Sequence, residues 1–253
     1  MTDPTERFST RAENYLRYRP DYPESAIEVF RAQFPLKTGA PIADIGSGTG
    51  FLSRHLLKMG FRVIGVEPDR EMRGASEKEL EDYALFQSWN GRAEETGLPD
   101  NFVEAITVGQ ALHWFDLSAA RREFLRIIKP GGGLFLIWND RKVESSDFQR
   151  QFESLLVEFG LNYQERVHKG PSLNDIQQLF GHRSVASRVF RHRQTCNWEQ
   201  LKGRLLSASY IPDVEDETYP VMLERLGQIF EAHAEDGTVT FLYDTRVFYG
   251  KLR

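Results

Sequence analysis

The sequence predicts an α/β protein built on a mostly parallel sheet with helices on both faces. Three observations carry this. Apolar runs of strand length alternate with helix-length stretches between about residues 40 and 140. A glycine-rich turn, Gly46-Ser47-Gly48-Thr49-Gly50, joins the first strand to the helix after it. The turn Lys129-Pro130-Gly131-Gly132-Gly133 stands directly before the fifth strand.

The elements follow in order. Pro41 to Ile45 reads as the first strand. Phe51 to Met59 is helical, with Leu52, Leu56 and Met59 on one face, and Gly60 stops it. Arg62 to Glu67 is a second buried strand. Asp69 to Leu80 suits a helix capped by Asp69. Tyr83 to Ser88 is the third strand and Val103 to Val108 the fourth. Leu117 to Ile128 is helical through Ala120, Phe124 and Ile127, and Leu134 to Trp138 is the fifth strand.

The remainder is less regular. Phe148 to Phe159 has helical spacing, and 160–181 reads as loop and short helix. Val185 to Thr195 reads as a strand, Trp198 to Ala208 and Thr218 to His233 as helices, and Thr238 to Tyr249 as a final strand. Upstream, Phe8, Ala12 and Tyr15 share a helical face, and Pro20 and Pro23 punctuate the chain after it. No boundary calls for a second domain. The expected organisation is one domain over 1–253: a helical cap at 1–35, a ligand-binding core at 36–140, and an elaboration that also completes the sheet at 141–253.

Composition narrows the classes. The chain of 253 residues carries 32 basic and 37 acidic residues, a net charge of −5, which excludes a globally basic nucleic-acid binder. A single cysteine, Cys196, excludes an internal disulfide and a cysteine-based structural zinc site. The six histidines show no metal spacing, so no metal is expected. No apolar run approaches the roughly 18 residues of a membrane span. Met1 to Thr10 is polar and lacks the apolar core of a signal peptide. The expected setting is soluble and cytoplasmic, with no membrane and no nucleic-acid partner, as a monomer or homodimer.

The chemistry concentrates at Asp44-Ile45-Gly46-Ser47-Gly48-Thr49-Gly50. Glycines there let the backbone pass close to a ligand, and the following helix offers unpaired N–H groups. Glu67 ends the next strand, where an acid can accept hydrogen bonds from both ribose hydroxyls. The pair points to a nucleoside. A dinucleotide fingerprint needs a third glycine that falls on Phe51 or Ser53. An acid before the first glycine repels a pyrophosphate but tolerates an ammonium group.

Asp44 to Gly50 resembles motif I of the class I S-adenosylmethionine-dependent methyltransferases. The resemblance extends through Val66-Glu67-Pro68-Asp69-Arg70-Glu71-Met72, Gly91-Arg92-Ala93-Glu94, Gln110-Ala111-Leu112-His113-Trp114-Phe115-Asp116, and Leu125 to Gly132. It implies a Rossmann-like sheet of seven strands, the last antiparallel, with an N-terminal helical cap and an elaboration between strands 5 and 7. Tyr15 to Pro23, Ser207-Ala208-Ser209-Tyr210 and Tyr243 to Gly250 resemble a small-molecule subgroup, some of it akin to trans-aconitate methyltransferases.

The resemblance implies S-adenosylmethionine as cofactor and assigns roles. Glu67 and Pro68 meet the ribose. Asp44, Gly46, Ser47, Gly48, Thr49 and Gly50 surround the methionine part, with Asp44 near its ammonium. Ala93 and Glu94 meet the adenine, and Met72 presses on adenine or ribose. Gln110 lies at the methionine end. Arg19 is a candidate clamp for the cofactor carboxylate, since a guanidinium grips a carboxylate with two bonds, and Tyr15 covers the site with it. His113 is the candidate general base.

The implied reaction is in-line methyl transfer to an oxygen, nitrogen or carbon of a small molecule, a carboxylate acceptor included. Three other readings stand beside it: methylation of tRNA or protein, a nicotinamide oxidoreductase, and a cofactor-binding protein without turnover. Arg183, Arg188, Arg191 and Arg193 form either a basic rim for an acidic acceptor or a solvated strand face. The acceptor itself is set by Tyr15 to Tyr22, Tyr210 and the 140–215 segment.

Overall fold

The computed structural model describes residues 12–161, 163, 170–181, 183–208 and 210–252. Met1 to Thr10 with Phe8, and also His182 and Ser209, lie outside the described residues.

Seven strands form one sheet: β1 (Pro41–Ile45), β2 (Arg62–Val66), β3 (Phe86–Trp89), β4 (Val103–Gly109), β5 (Ile128–Arg141), β6 (Ala186–Cys196) and β7 (Val239–Lys251). Their order is β3-β2-β1-β4-β5-β7-β6. The first five pair parallel, and β7 runs antiparallel between β5 and β6. The chain moves outward from β1 to β3, then returns to β4 on the other side of β1. Open α/β sheets bind ligands outside the strand ends at such a reversal.

Nine helices are found among the described residues. They are α1 (Ala12–Tyr18), α2 (Glu24–Gln33), α3 (Phe51–Lys58), α4 (Arg70–Glu79), α5 (Leu117–Ile127), α6 (Asp147–Phe159), α7 (Leu173–Phe180), α8 (Trp198–Leu206) and α9 (Tyr219–His233). Asp69 caps α4 as its spacing predicts, its carboxylate accepting from the N–H groups of Glu71 and Met72 at 2.9 and 2.8 Å. Asp116 caps α5 in the same way.

Two boundaries differ from expectation. The third strand begins at Phe86 rather than Tyr83, because its pairing with β2 starts at Val63–Phe86. The fifth strand is far longer than Leu134 to Trp138 and includes the proline-glycine run. Val103 pairs with Ile128 and Ala105 with Gly133, so Lys129 to Gly132 are accommodated as a bulge within the strand. At its other end β5 outruns β4. The last β4–β5 pair is Gly109–Ile137, whereas β5 continues beside β7 to Arg141–Tyr243. Asn139, Asp140 and Arg141 therefore rise above the carboxyl edge of the parallel strands.

The apolar residues form three clusters. Two cover the faces of the sheet, one around Phe124 and Phe180 and the other around Phe30, Leu56 and Phe135. The third joins α6, α8 and α9 to the start of β7 through Phe152, Leu201, Leu226 and Phe241. The cap helix α1 packs on α8 at Gly203, where a Cβ would lie 2.1 Å from a ring carbon of Tyr18.

That contact gives a clear expectation for Gly203→Ala. Alanine would favour the helix by about 0.5–1 kcal/mol if nothing else changed. Overpacking against Tyr18 should reverse the sign, lowering stability by about 1–3 kcal/mol. Urea denaturation decides between them, and a stabilised variant would mean that α1 does not seat on α8 this way.

Candidate active site

Asp44, near the end of β1, is 1% exposed. Ser53 Oγ of α3 donates to it at 2.6 Å and Thr107 Oγ1 of β4 at 2.9 Å. Burial pushes its carboxyl up to about 6 despite these two hydroxyls. The loop that follows is left-handed at each glycine, with φ of +67° at Gly46, +55° at Gly48 and +88° at Gly50. A Cβ at Gly46 would fall 2.5 Å from Ala111 Cβ, and one at Gly50 would fall 2.7 Å from Leu80 Cδ1. Both space and backbone therefore require glycine there.

Glu67 follows β2 and lies across this loop. Its Oε2 accepts the Gly48 N–H at 2.9 Å and its Oε1 the Asp69 N–H at 3.0 Å. Burial raises its pKa, more than these bonds lower it. Arg73 fixes the turn beneath by donating to the carbonyls of Glu67 and Pro68 at 3.0 and 3.1 Å. Met72 is buried, with its Cε 3.5 Å from the position a Gly48 Cβ would take. Ala93 is buried, and Glu94 Oε1 accepts the Asp116 N–H at 2.8 Å, tying the β3 turn to the loop after β4.

Gln110 leaves β4 with φ of +55°, a sparsely populated conformation for a side-chain-bearing residue. Its Oε1 accepts the Asn139 N–H at 2.6 Å, which ties the loop after β4 to the projecting end of β5. His113 sits in the short turn Leu112–Trp114, its ring edge-on to Trp138 at 5.3 Å and tilted against Trp114 at 4.6 Å.

The N-terminal segment closes the front. Arg19 stacks over Tyr15 at 5.1 Å, and its Nε donates to Ser207 Oγ at 2.9 Å. Asp21 pins the following stretch to α3, through Arg54 at 2.9 Å and His55 at 2.8 Å. The Asp21 carbonyl accepts from Asn139 Nδ2 at 3.3 Å. Tyr22 passes so close to Gly109 that a Cβ there would lie 2.6 Å from its hydroxyl.

These elements enclose a cavity of about 800 Å³. Tyr15, Arg19, Gln110 and His113 line it together with Trp138, Asn139 and Arg141. A space of about 40 Å³ lies beside Asp44 and Gly46 to Thr49 and shares Tyr15, Tyr22 and Phe51 with the large cavity. Ser47 Oγ and Thr49 Oγ1 are buried there with no hydrogen-bond partner.

Residues 43–136 match the family described as "Methyltransferase domain". An uncharacterized methyltransferase of Mycobacterium tuberculosis is 35% identical over 161 residues, 63% of this chain and 63% of that protein. The chain thus spans under two thirds of the length of the curated relatives it matches first. The likeness to methyltransferases falls on the stretch that holds the glycine loop and Glu67. Among solved structures, a type II methyltransferase assignment from Anaeromyxobacter dehalogenans superposes with a TM-score of 0.66 at 18% identity, covering 93% of this chain and 98% of that one. A phosphoethanolamine N-methyltransferase of Haemonchus contortus, in complex with phosphomonomethylethanolamine and S-adenosylhomocysteine, gives 0.55 at 15% identity. It covers 95% of this chain and 56% of its own. At these identities the likeness is one of fold.

The site suits a nucleoside-type cofactor on its own geometry. The loop admits close approach, and the open hydroxyls of Ser47 and Thr49 await polar partners. Sequence reasoning singled out none of Asn139, Arg141, Tyr163, Arg204 and Tyr243, all of which line the cavity, although Arg141, Tyr163 and Arg204 lie in the 140–215 segment it held responsible for the acceptor. Tyr210, named among the acceptor-setting residues, lines it as well. Arg183, Arg188, Arg191 and Arg193 do not; they are exposed on or beside the edge strand β6. Cys196 is buried and its thiol is pushed up by burial. Among the described residues no group of three or more His, Cys, Asp or Glu side chains is placed to hold a metal. No described helix is long and apolar enough to cross a membrane.

The Asp44 carboxyl makes stability depend on pH in a defined direction. It titrates near 3.8 in the unfolded chain and near 6 in the folded one. The folded protein binds the extra proton between these values, so the group's stabilising share is present at low pH and is lost as pH rises through 6. Two units correspond to about 3 kcal/mol. Denaturation of wild type and Asp44→Asn at pH 4 and pH 7.5 should show wild type losing about that much relative to the variant. A pH-independent difference would contradict the buried carboxylate.

Proposed function

We propose that this protein transfers the methyl group of S-adenosylmethionine to a small molecule bound in the large cavity. The observation that carries the proposal is the continuity of two spaces: the cleft beside the glycine loop and the roughly 800 Å³ cavity share one aromatic wall. The Haemonchus contortus structure, similar in fold and in complex with phosphomonomethylethanolamine and S-adenosylhomocysteine, supports it.

When bound, the cofactor supplies an activated sulfonium methyl whose leaving group departs neutral. Catalysis by the chain is then mainly a matter of position and exclusion of water. Glu67 is placed to exchange its bond with the Gly48 N–H for ribose hydroxyls. Gly46 to Gly50 and Asp44 form the floor under the methionine part, with Met72, Ala93 and Glu94 toward the adenine. Arg19, stacked on Tyr15, would clamp the cofactor carboxylate. Gln110 and Asn139 hold the two strand ends at a fixed separation. His113, half-buried against Trp138, is positioned to take a proton from a hydroxyl or amine acceptor. A carboxylate acceptor needs no such base.

S-adenosylhomocysteine should raise the Tm, and Glu67→Ala should weaken its binding by about 10- to 150-fold, the equivalent of a lost charge-assisted bond. Absence of any stabilisation in wild type would end the proposal. Labelled S-adenosylmethionine incubated with a cell extract should place its methyl in the low-mass fraction; label in tRNA or protein would point to a macromolecular acceptor. With an alcohol or amine acceptor, His113→Gln should lower kcat by about 10²- to 10⁴-fold with little change in KM.

A further inference from the structure

Arg204, on α8, projects into the cavity wall contributed by the second half of the chain. The residue is 8% exposed, yet its Nε and Nη1 have no hydrogen-bond partner. Its guanidinium is held between two rings, 4.8 Å from the centroid of Phe241 and 5.5 Å from that of Tyr243. Among the described residues no carboxylate pairs with it. Arg141 is paired to Glu153, and Arg246 to Asp140 at 3.0 Å. Asp21 is engaged by Arg54 and His55. Glu144 is the remaining acid on the lining, and it is exposed at the rim.

The charges that could balance Arg204 are therefore already used. Two further open polar groups share its cavity. The Tyr243 hydroxyl and Arg141 Nη1 are both buried without a partner. Burial and the nearby Arg19 and Arg141 lower the pKa of Arg204, which is the signature of a cation lacking its counter-charge. A fold that needed only to fill this space would be served by an apolar side chain, since an unpaired buried charge is costly. A planar guanidinium fixed by two aromatic faces in the wall of a cavity, with Nε and Nη1 unpaired, is suited to receive a carboxylate or phosphate.

We propose that Arg204, with Tyr243 Oη and Arg141 Nη1, forms an anion seat in the acceptor cavity, so that the methyl acceptor carries a carboxylate or phosphate group. This rests on the methyl-transfer reading above for the word acceptor, but the seat can be tested without it. Arg19 lines the same cavity and is near enough to act on Arg204, but it stacks on Tyr15, which also lines the cleft beside the glycine loop.

The test measures binding of glutarate and phenyl phosphate by calorimetry at constant ionic strength, with neutral glutaramide as control. It is run with and without saturating S-adenosylhomocysteine. Wild type should bind at least one of the anions and not the amide, and which one binds separates a carboxylate acceptor from a phosphate one. Arg204→Gln should weaken that binding by about tenfold or more. Tyr243→Phe should weaken it several-fold, and Arg204→Lys, which keeps the charge but loses the fork, should fall between; these serve if the glutamine variant does not fold. S-adenosylhomocysteine affinity should stay within about twofold in all three, given that none is placed against it.

No anion binding to wild type, or equal binding to Arg204→Gln, would overturn the seat. Loss of S-adenosylhomocysteine binding in Arg204→Gln would overturn it too, by assigning Arg204 to the cofactor carboxylate. If wild type binds the anion through Arg204 but never S-adenosylhomocysteine, the seat stands and methyl transfer falls.

Discussion

The site depends on one buried carboxylate. Asp44 joins three elements that are distant in sequence: its own strand, α3 through Ser53, and β4 through Thr107. The glycine loop is the chain between the first two of these. With both ends of that loop tied to one side chain, its backbone N–H groups have a fixed direction. Glu67 can then reach across from β2 to Gly48. An Asp so enclosed, its pKa raised to about 6, is only half ionised at that pH, and a nearby ammonium would favour its charged form. The loop and its nearest acid are in this sense a single electrostatic device.

The glycine-loop side of the site was legible in the sequence because its demands are local. Glycine at 46 and 50 follows from positive φ and from contacts no Cβ could survive, and those requirements are written as residue identities at fixed spacing. Asp69 was readable as a helix cap for the same reason. The antiparallel final strand came from the resemblance. What could not be read was the reach of β5. Its proline and glycines signal a turn to any local rule, yet Ile128 pairs with Val103 of β4 before that run and Gly133 to Arg141 pair with β7 after it, so the strand passes through. Tertiary pairing overrode a local signal.

The acceptor side was opaque for a related reason. Arg141, Tyr163, Arg204 and Tyr243 lie on a strand end, a loop, a helix and another strand, and nothing in their spacing connects them. They meet only because β5 outruns β4 and because α6, α8 and α9 pack on the start of β7. The arginines that did stand out as a cluster, around β6, face solvent at the sheet edge. A conspicuous run of like charge proved less informative than one buried arginine on an amphipathic helix.

The third apolar cluster has a consequence for how such a protein can diverge. It is assembled mainly from α6, α8, α9 and three residues of β7, and it shares no side chain with the two clusters that support the glycine loop. Substitutions that repack it therefore move the far wall of the cavity while the glycine loop keeps its shape. Evolution acting on this chain can reshape one compartment without renegotiating the other.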